Sequence, residues 1–492
     1  PRFFTLLVNE FIRSSKNLIK QDIVHICSFM KKEKMKKVIL FTLIFISSTA
    51  FGVTQSWLPS QLTIKSDTHA SNGASSQSSL SNDGRYMAFQ SCASNLVIED
   101  QARCDVYWRD NITGQIELIT KSLLSDFKGE SWNSAPYISS NGRFVVFNST
   151  AADIVGLEGN GVSHIYLWDA LTNKIELVSV ASDGLEGDLN SSNSSVSDDG
   201  RFVVFESESI LLDVVSPDTN DSADIFIRDR VNNTTVRIKN SFDQELNGGS
   251  RSPHISRDGK YVVFATSATN SIDSLEDENG SVSDIILHEI ETGKNTLISV
   301  DSNGNQKSEG SYVPRVNQDG KFVAFRSNSS FDSTGYSGVF IRDMERRTTS
   351  IVSSPNQSSG YASFEVNGRL AISNDGRRVA FTLHDHNGTF SSENNFTYTY
   401  NVYLKDLDTG RLYLVSDPIN KSVTRYESAD NPAISGDGKS VSFESFDNSF
   451  DPLDRNYVTD IFLYSIEENA YKNVSVPATY GSQADVHSAS LS

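Results

Sequence analysis

Two loops of this chain carry oxygen-bearing side chains at alternating positions, Asp218-x-Asn220-x-x-x-Asp224 and Asp454-x-Asn456-x-x-x-Asp460. Looser versions stand at Glu99/Gln101/Asp105, Glu158/Asn160/His164 and Asp277/Asn279/Asp284. Hard oxygen donors in such an array suit Ca²⁺, which takes about six to eight of them. The same residue types also build turns, because short Asp and Asn side chains accept bonds from the backbone two residues on. Recurrence at one place in a repeat fits both readings, and the glycine and closing glutamate of an EF-hand loop are missing. No cofactor is assigned outright; turn chemistry is the first reading, and Ca²⁺ is the one candidate cofactor, with Asp218, Asn220, Asp224, Asp454, Asn456 and Asp460 as its candidate ligands.

Other chemistry is thinner. His384-Asp385-His386 puts two imidazoles on one face of a strand, as zinc or manganese would require, but no third ligand suggests itself and Asn387-Gly388 reads as a hairpin tip. G-x-S-x-G, H-E-x-x-H and P-loop motifs are absent from the sequence. Carboxylates are too abundant for any one pair to be nominated for glycoside hydrolysis. Arg109-Asp110, Arg228-Asp229 and Arg342-Asp343 are expected to bridge neighbouring strands or blades. No catalytic residue is assigned.

The elements that must position these residues repeat. An Asp-Gly or Asn-Gly step, a basic residue and a short strand ending in Phe recur at Gly84, Gly142, Gly200, Gly259, Gly320, Gly376 and Gly438. Asp-Gly between apolar runs marks a hairpin, because the tight turn needs positive φ. Each unit of about 59 residues resolves into four strands. The first is small and carries Pro at 136, 253, 314 and 432, read as a strand's first residue, where no ladder donor is lost. The second, such as Phe202–Phe205, is apolar on both faces and must be covered on both. The third is Asp224–Asp229 and its counterparts, and the fourth is polar and β-branched. Small sheets buried on both faces stack radially, so the expected fold is an all-β propeller of seven four-stranded blades over residues 61–492. Leu62–Lys65 and Ser488–Ser492 read as a possible partial eighth repeat made from the two chain ends.

Repeats of the form S-x-D-G-R-x-V-x-F…D-[IV]-[FY]-x-[RW]-D resemble the WD40-like repeat of TolB-type bacterial propellers, over nearly all of residues 61–492. The resemblance implies the propeller fold. The α/β domain that precedes the propeller in TolB has no room in the short stretch before the first unit.

Ahead of the repeats, Met30–Lys37 is cationic, Val38–Ile46 is apolar and Ser47–Gly52 is small, the three parts of a secretory signal. The apolar run is shorter than the roughly 20 residues that span a bilayer. We therefore read residues 1–29 as an upstream leader, 30–52 as a signal peptide and 53–60 as a linker, with no transmembrane anchor after cleavage. Residues 53–492 hold 34 Lys and Arg against 59 Asp and Glu, a net charge of −25 that argues against nucleic acid as a partner. Cys92 and Cys104 remain, and an oxidising compartment favours their pairing in one disulfide. The expected protein is periplasmic or secreted. It is a non-catalytic scaffold that binds a protein or an envelope polymer through its loops or central funnel. Two alternatives stand beside it: the propeller portion of a larger exported hydrolase or peptidase, and a propeller hydrolase or lyase with its site in the funnel.

Overall fold

The computed structural model describes residues 71–97, 104–121, 133–156, 160–213, 216, 218–272, 277–331, 335, 337–353, 369–385, 399–417, 428–447, 449–451, 454, 456 and 458–477. The expected leader, signal peptide and linker, and the two candidate end strands, lie outside them.

Among the described residues, twenty-eight strands form seven four-stranded antiparallel sheets, each ordered first to fourth along the chain. Blade three is representative, with strands Ser191–Val196, Phe202–Ser207, Asp224–Asp229 and Thr234–Arg237. First strands of successive blades touch all the way round and so line a central axis. Among the described residues no helix is long and apolar enough to cross a membrane.

The doubly apolar second strands dictate the stacking. Phe89, Phe147, Phe205, Phe264, Phe325, Phe381 and Phe443, each five residues after its turn glycine, are fully buried. Replacing one by Ala would cost about 3–5 kcal/mol. Seven apolar clusters fill the seven blade interfaces. In the last of them, Leu80, Met87 and Phe89 of blade one pack on Ile461 and Val474 of blade seven. Backbone bonds from Ser75 N to Thr459 O and from Asp437 N to Asn82 O, both 2.7 Å, tie the same junction. Seven blades therefore close the ring.

The Ser-x-Asp-Gly step is turn chemistry. Ser197 Oγ donates to Asp199 Oδ1 at 2.6 Å, and the same carboxylate oxygen accepts Arg201 N. The glycine is needed twice over: Gly142 has φ +74°, and a Cβ there would lie 2.1 Å from the Tyr86 ring of the preceding blade. The basic residue after the turn reaches the Asp that ends the third strand, as in Arg143–Asp169 at 2.8 Å and Arg201–Asp229 at 2.7 Å. Arginines inside the third strand go elsewhere, Arg109 to Val476 O of blade seven and Arg342 to Asp301 O, bridging blades as expected.

One expectation needs correction. Pro136, Pro253, Pro314 and Pro432 are the fourth residues of six-residue strands, not the first. Each follows a residue with positive φ (Ala135, Ser252, Val313, Asn431), where the pairing register shifts. At that bulge no ladder bond is demanded, so Pro is tolerated inside the strand.

Candidate functional site

The acidic loops precede the third strands. In blade three, Asp218, Asp224 and Glu245 each place a carboxylate oxygen within 4.8 Å of the others. Arg237, from the fourth strand, already occupies their centre. Its Nη1 lies 2.9 Å from Asp224, 2.7 Å from Glu245 and 3.8 Å from Asp218, and its side chain is 1% exposed. Asn220 spends its groups on the loop, its N donating to Asp218 Oδ1, its Nδ2 to Leu246 O, and its Oδ1 accepting Ser222 N. Burial raises the Asp224 carboxyl to about 6, against the pull of Arg237.

Blade seven solves the same motif without a cation. Asn456 N donates to Asp454 Oδ1 at 3.2 Å, and its Nδ2 donates to Asp460 Oδ2 at 2.9 Å. Asp460 Oδ1 accepts Ser475 Oγ at 2.6 Å and Ser71 Oγ at 2.9 Å. The position of Arg237 is taken by Asn473, and among the described residues no ion pair reaches Asp454 or Asp460. Burial, then the Asp460 charge, raises Asp454 to about 7.

Comparable side-chain-to-backbone bonds occur at Asn279 with Asp277 and at Val162 with Asn160, so the motif builds turns in blades two and four as well. In most blades the residue leading the third strand also meets a hydroxyl fifteen positions on: Asp105 with Thr120, His164 with Ser179, Asp284 with Ser299 and Asp460 with Ser475. Blade three has Lys239 there. Sequence reasoning missed Glu245 and Arg237, and that break in the hydroxyl pattern is the signal that could have pointed to them. Glu99, Gln101, Glu158 and His386 lie outside the described residues, while His384 is on the strand Arg378–Asp385. Cys92 and Cys104 form the expected disulfide.

A second constellation, not anticipated from sequence, lines the axis. Five residues before each turn glycine stand Ser79, Tyr137, Ser195, His254, Arg315, Ala371 and Ala433. His254 Nδ1 accepts the Val316 backbone N–H at 3.3 Å, which places the ring proton on Nε2. Nε2–H then donates to Tyr137 Oη at 3.0 Å, joining blades two and four and leaving the phenol proton available to another acceptor. Burial, with Arg315 and Arg257 nearby, holds His254 neutral, well below its ordinary pKa. Arg257 covers the Tyr137 ring at 4.9 Å and donates to Ile138 O. Arg315 donates to the adjacent Pro314 O, and burial followed by repulsion from Arg369 lowers it to about 10. This array offers donors and positive charge rather than a nucleophile with its base.

No family model matches the chain, and no curated protein does. Among solved structures, a prolyl endopeptidase matches with TM-score 0.52 and 13% identity, over 82% of this chain and 49% of that one. A puromycin-hydrolyzing peptidase from Mycobacterium tuberculosis matches with TM-score 0.50 and 12% identity, over 85% and 57%. The chain is a seven-bladed propeller. A TolB from Agrobacterium tumefaciens is also among the matches, at 16% identity over 66% of this chain and 91% of that one, with TM-score 0.38. The propeller spans about half the length of the prolyl endopeptidase it resembles, and identities this low speak to fold alone.

Proposed function

We propose that this protein is an exported, non-catalytic propeller that binds an envelope protein or polymer through its axial channel and surrounding loops. The observation that carries the reading is the array of Tyr137, His254, Arg257 and Arg315, which gathers charged and polar groups from three blades at the axis. A rigid ring presenting such groups is a binding platform. The Cys92–Cys104 disulfide agrees with an oxidising compartment, periplasmic or outside the cell. The test is crosslinking in the native envelope from probes placed beside the channel. Crosslinks to one protein or polymer are expected; turnover of a peptide or glycan by the purified chain would overturn the reading.

A second reading is favoured by one observation, the match to about half of two peptidases. In it, the propeller belongs to a longer exported hydrolase. Intact-mass measurement of the protein from its native source decides between them, since a hydrolase domain would add tens of kilodaltons.

Of the two strict acidic loops, we propose the one in blade seven as the Ca²⁺ candidate. Among the described residues its carboxylates meet no cation, whereas Arg237 already neutralises those of blade three. Calorimetric titration with Ca²⁺ tests this, and equal binding by an Asp454→Asn variant would refute it.

A further inference from the structure

Two blades place a carboxylate at one position of the axial wall. Six residues after the turn glycine, blades three and seven carry Glu206 and Glu444. Glu206 Oε2 accepts the bulge N–H of Ser252 in blade four at 2.8 Å, and Glu444 Oε1 accepts that of Gln77 in blade one at 2.6 Å. A carboxylate at this place thus satisfies the bulge of the next blade. In blade five the same position is Arg326, and the bulge position of blade six, seven residues before its glycine, is Arg369. Arg315 stands on the first strand of blade five, Ser311–Val316, near enough to Arg369 to feel its charge.

Arg326 therefore stands where blades three and seven carry a carboxylate, and Arg315 and Arg369 add two further guanidinium groups to this wall. Among the described residues none of the three forms an ion pair, and the hydrogen bond Arg315 makes is to its neighbour's carbonyl. Glu444, whose charge favours that of Arg369, is engaged by Gln77 and Asn431. All three arginines keep some solvent exposure. Partly buried like charges without a partner are costly to hold, and the planar fork of a guanidinium matches a carboxylate in two-point bonding.

We propose that the channel wall formed by Arg315, Arg326 and Arg369 binds a carboxylate group of a ligand, which takes the place that Glu206 and Glu444 fill in their own blades. The Tyr137 hydroxyl, its oxygen already bonded by His254 Nε2–H, is the further donor. The site rests on the proposed reading of the channel as the ligand-facing surface and names the chemistry it recognises.

The test is calorimetric titration of the purified full-length protein with citrate and, separately, with inorganic phosphate. Citrate should bind and phosphate should bind more weakly. The Arg315→Gln/Arg369→Gln variant should weaken citrate binding by about 30-fold or more, the loss expected for charged hydrogen bonds. Without citrate, the same variant should melt at the same temperature or higher, because a repulsive pair has been removed. A fall in its melting temperature would make the arginines structural and overturn the proposal. So would phosphate binding tighter than citrate, or no heat from citrate at millimolar concentration. If channel crosslinks to an envelope partner persist while citrate fails to bind, the carboxylate site falls and the platform stands. Loss of the crosslinks with citrate binding intact gives the reverse.

Discussion

Blades three and seven begin from the same loop, Asp-x-Asn-x-x-x-Asp, and end with opposite electrostatics. In blade three a buried arginine sits on three acids; in blade seven two acids face each other with only neutral donors around them. The cation comes from one position on the fourth strand, Arg237 against Asn473, and the third acid from Glu245 in the loop beyond it. A shared motif therefore fixes the turn and leaves the charge balance to whatever side chain the next strand delivers.

Removing Arg237 should have the largest effect. Arg237→Ala strands Asp218, Asp224 and Glu245 and should destabilise by about 3–5 kcal/mol in urea unfolding, as for other broken buried pairs. Asn473→Ala, which removes an acceptor for Ser475, should cost about 1 kcal/mol. Equal costs would break the comparison.

The next effect is the pH dependence that blade seven contributes. Asp454 titrates near 7 in the folded protein and near 3.8 when unperturbed, so the folded state holds a proton that the unfolded chain releases. Stability should therefore fall as pH rises from about 4 to about 7, then level off. Asp454→Asn should flatten that slope and raise the melting temperature at pH 8. A wild-type slope unchanged in the variant would show that Asp454 is not the titrating group.

A smaller contrast lies at the end of the third strand. Asp229 binds Arg201 and accepts Val231 N and Asn232 N, whereas blade seven has Ser465 at that place. Asp229→Ala should cost about 1.5–3 kcal/mol, and Ser465→Ala less than about 0.5 kcal/mol, both measured by denaturant midpoints. Smallest of all, millimolar Ca²⁺ should raise the melting temperature slightly through the blade-seven loop. That shift should survive Asp218→Asn and vanish in Asp454→Asn.

Much of the fold was legible in consecutive residues. Ser197, Asp199 and Gly200 announce a hairpin because their bonds close within the turn itself. Phe205 announces a doubly covered strand because its neighbours are apolar on both faces. The placement of Pro253 was misread, because a bulge is a property of two paired strands and only one of them is visible locally. The candidate sites were legible only in part: Asp218, Asp224, Asp454 and Asp460 stood out, while Glu245 and Arg237 did not, since the only local sign of them is Lys239 standing where other blades carry a hydroxyl.

The sequence by itself determined the repeat and its turn, which rest on interactions between residues within a few positions of each other, and the sevenfold recurrence of that turn gave the number of blades. Tertiary structure alone decided which charges meet. His254 reaches Tyr137 across 117 residues, and Arg315 feels Arg369 from another blade, only because ring closure turns every first strand toward one axis. Electrostatic energy depends on distance and burial in space, and neither can be read from spacing along the chain.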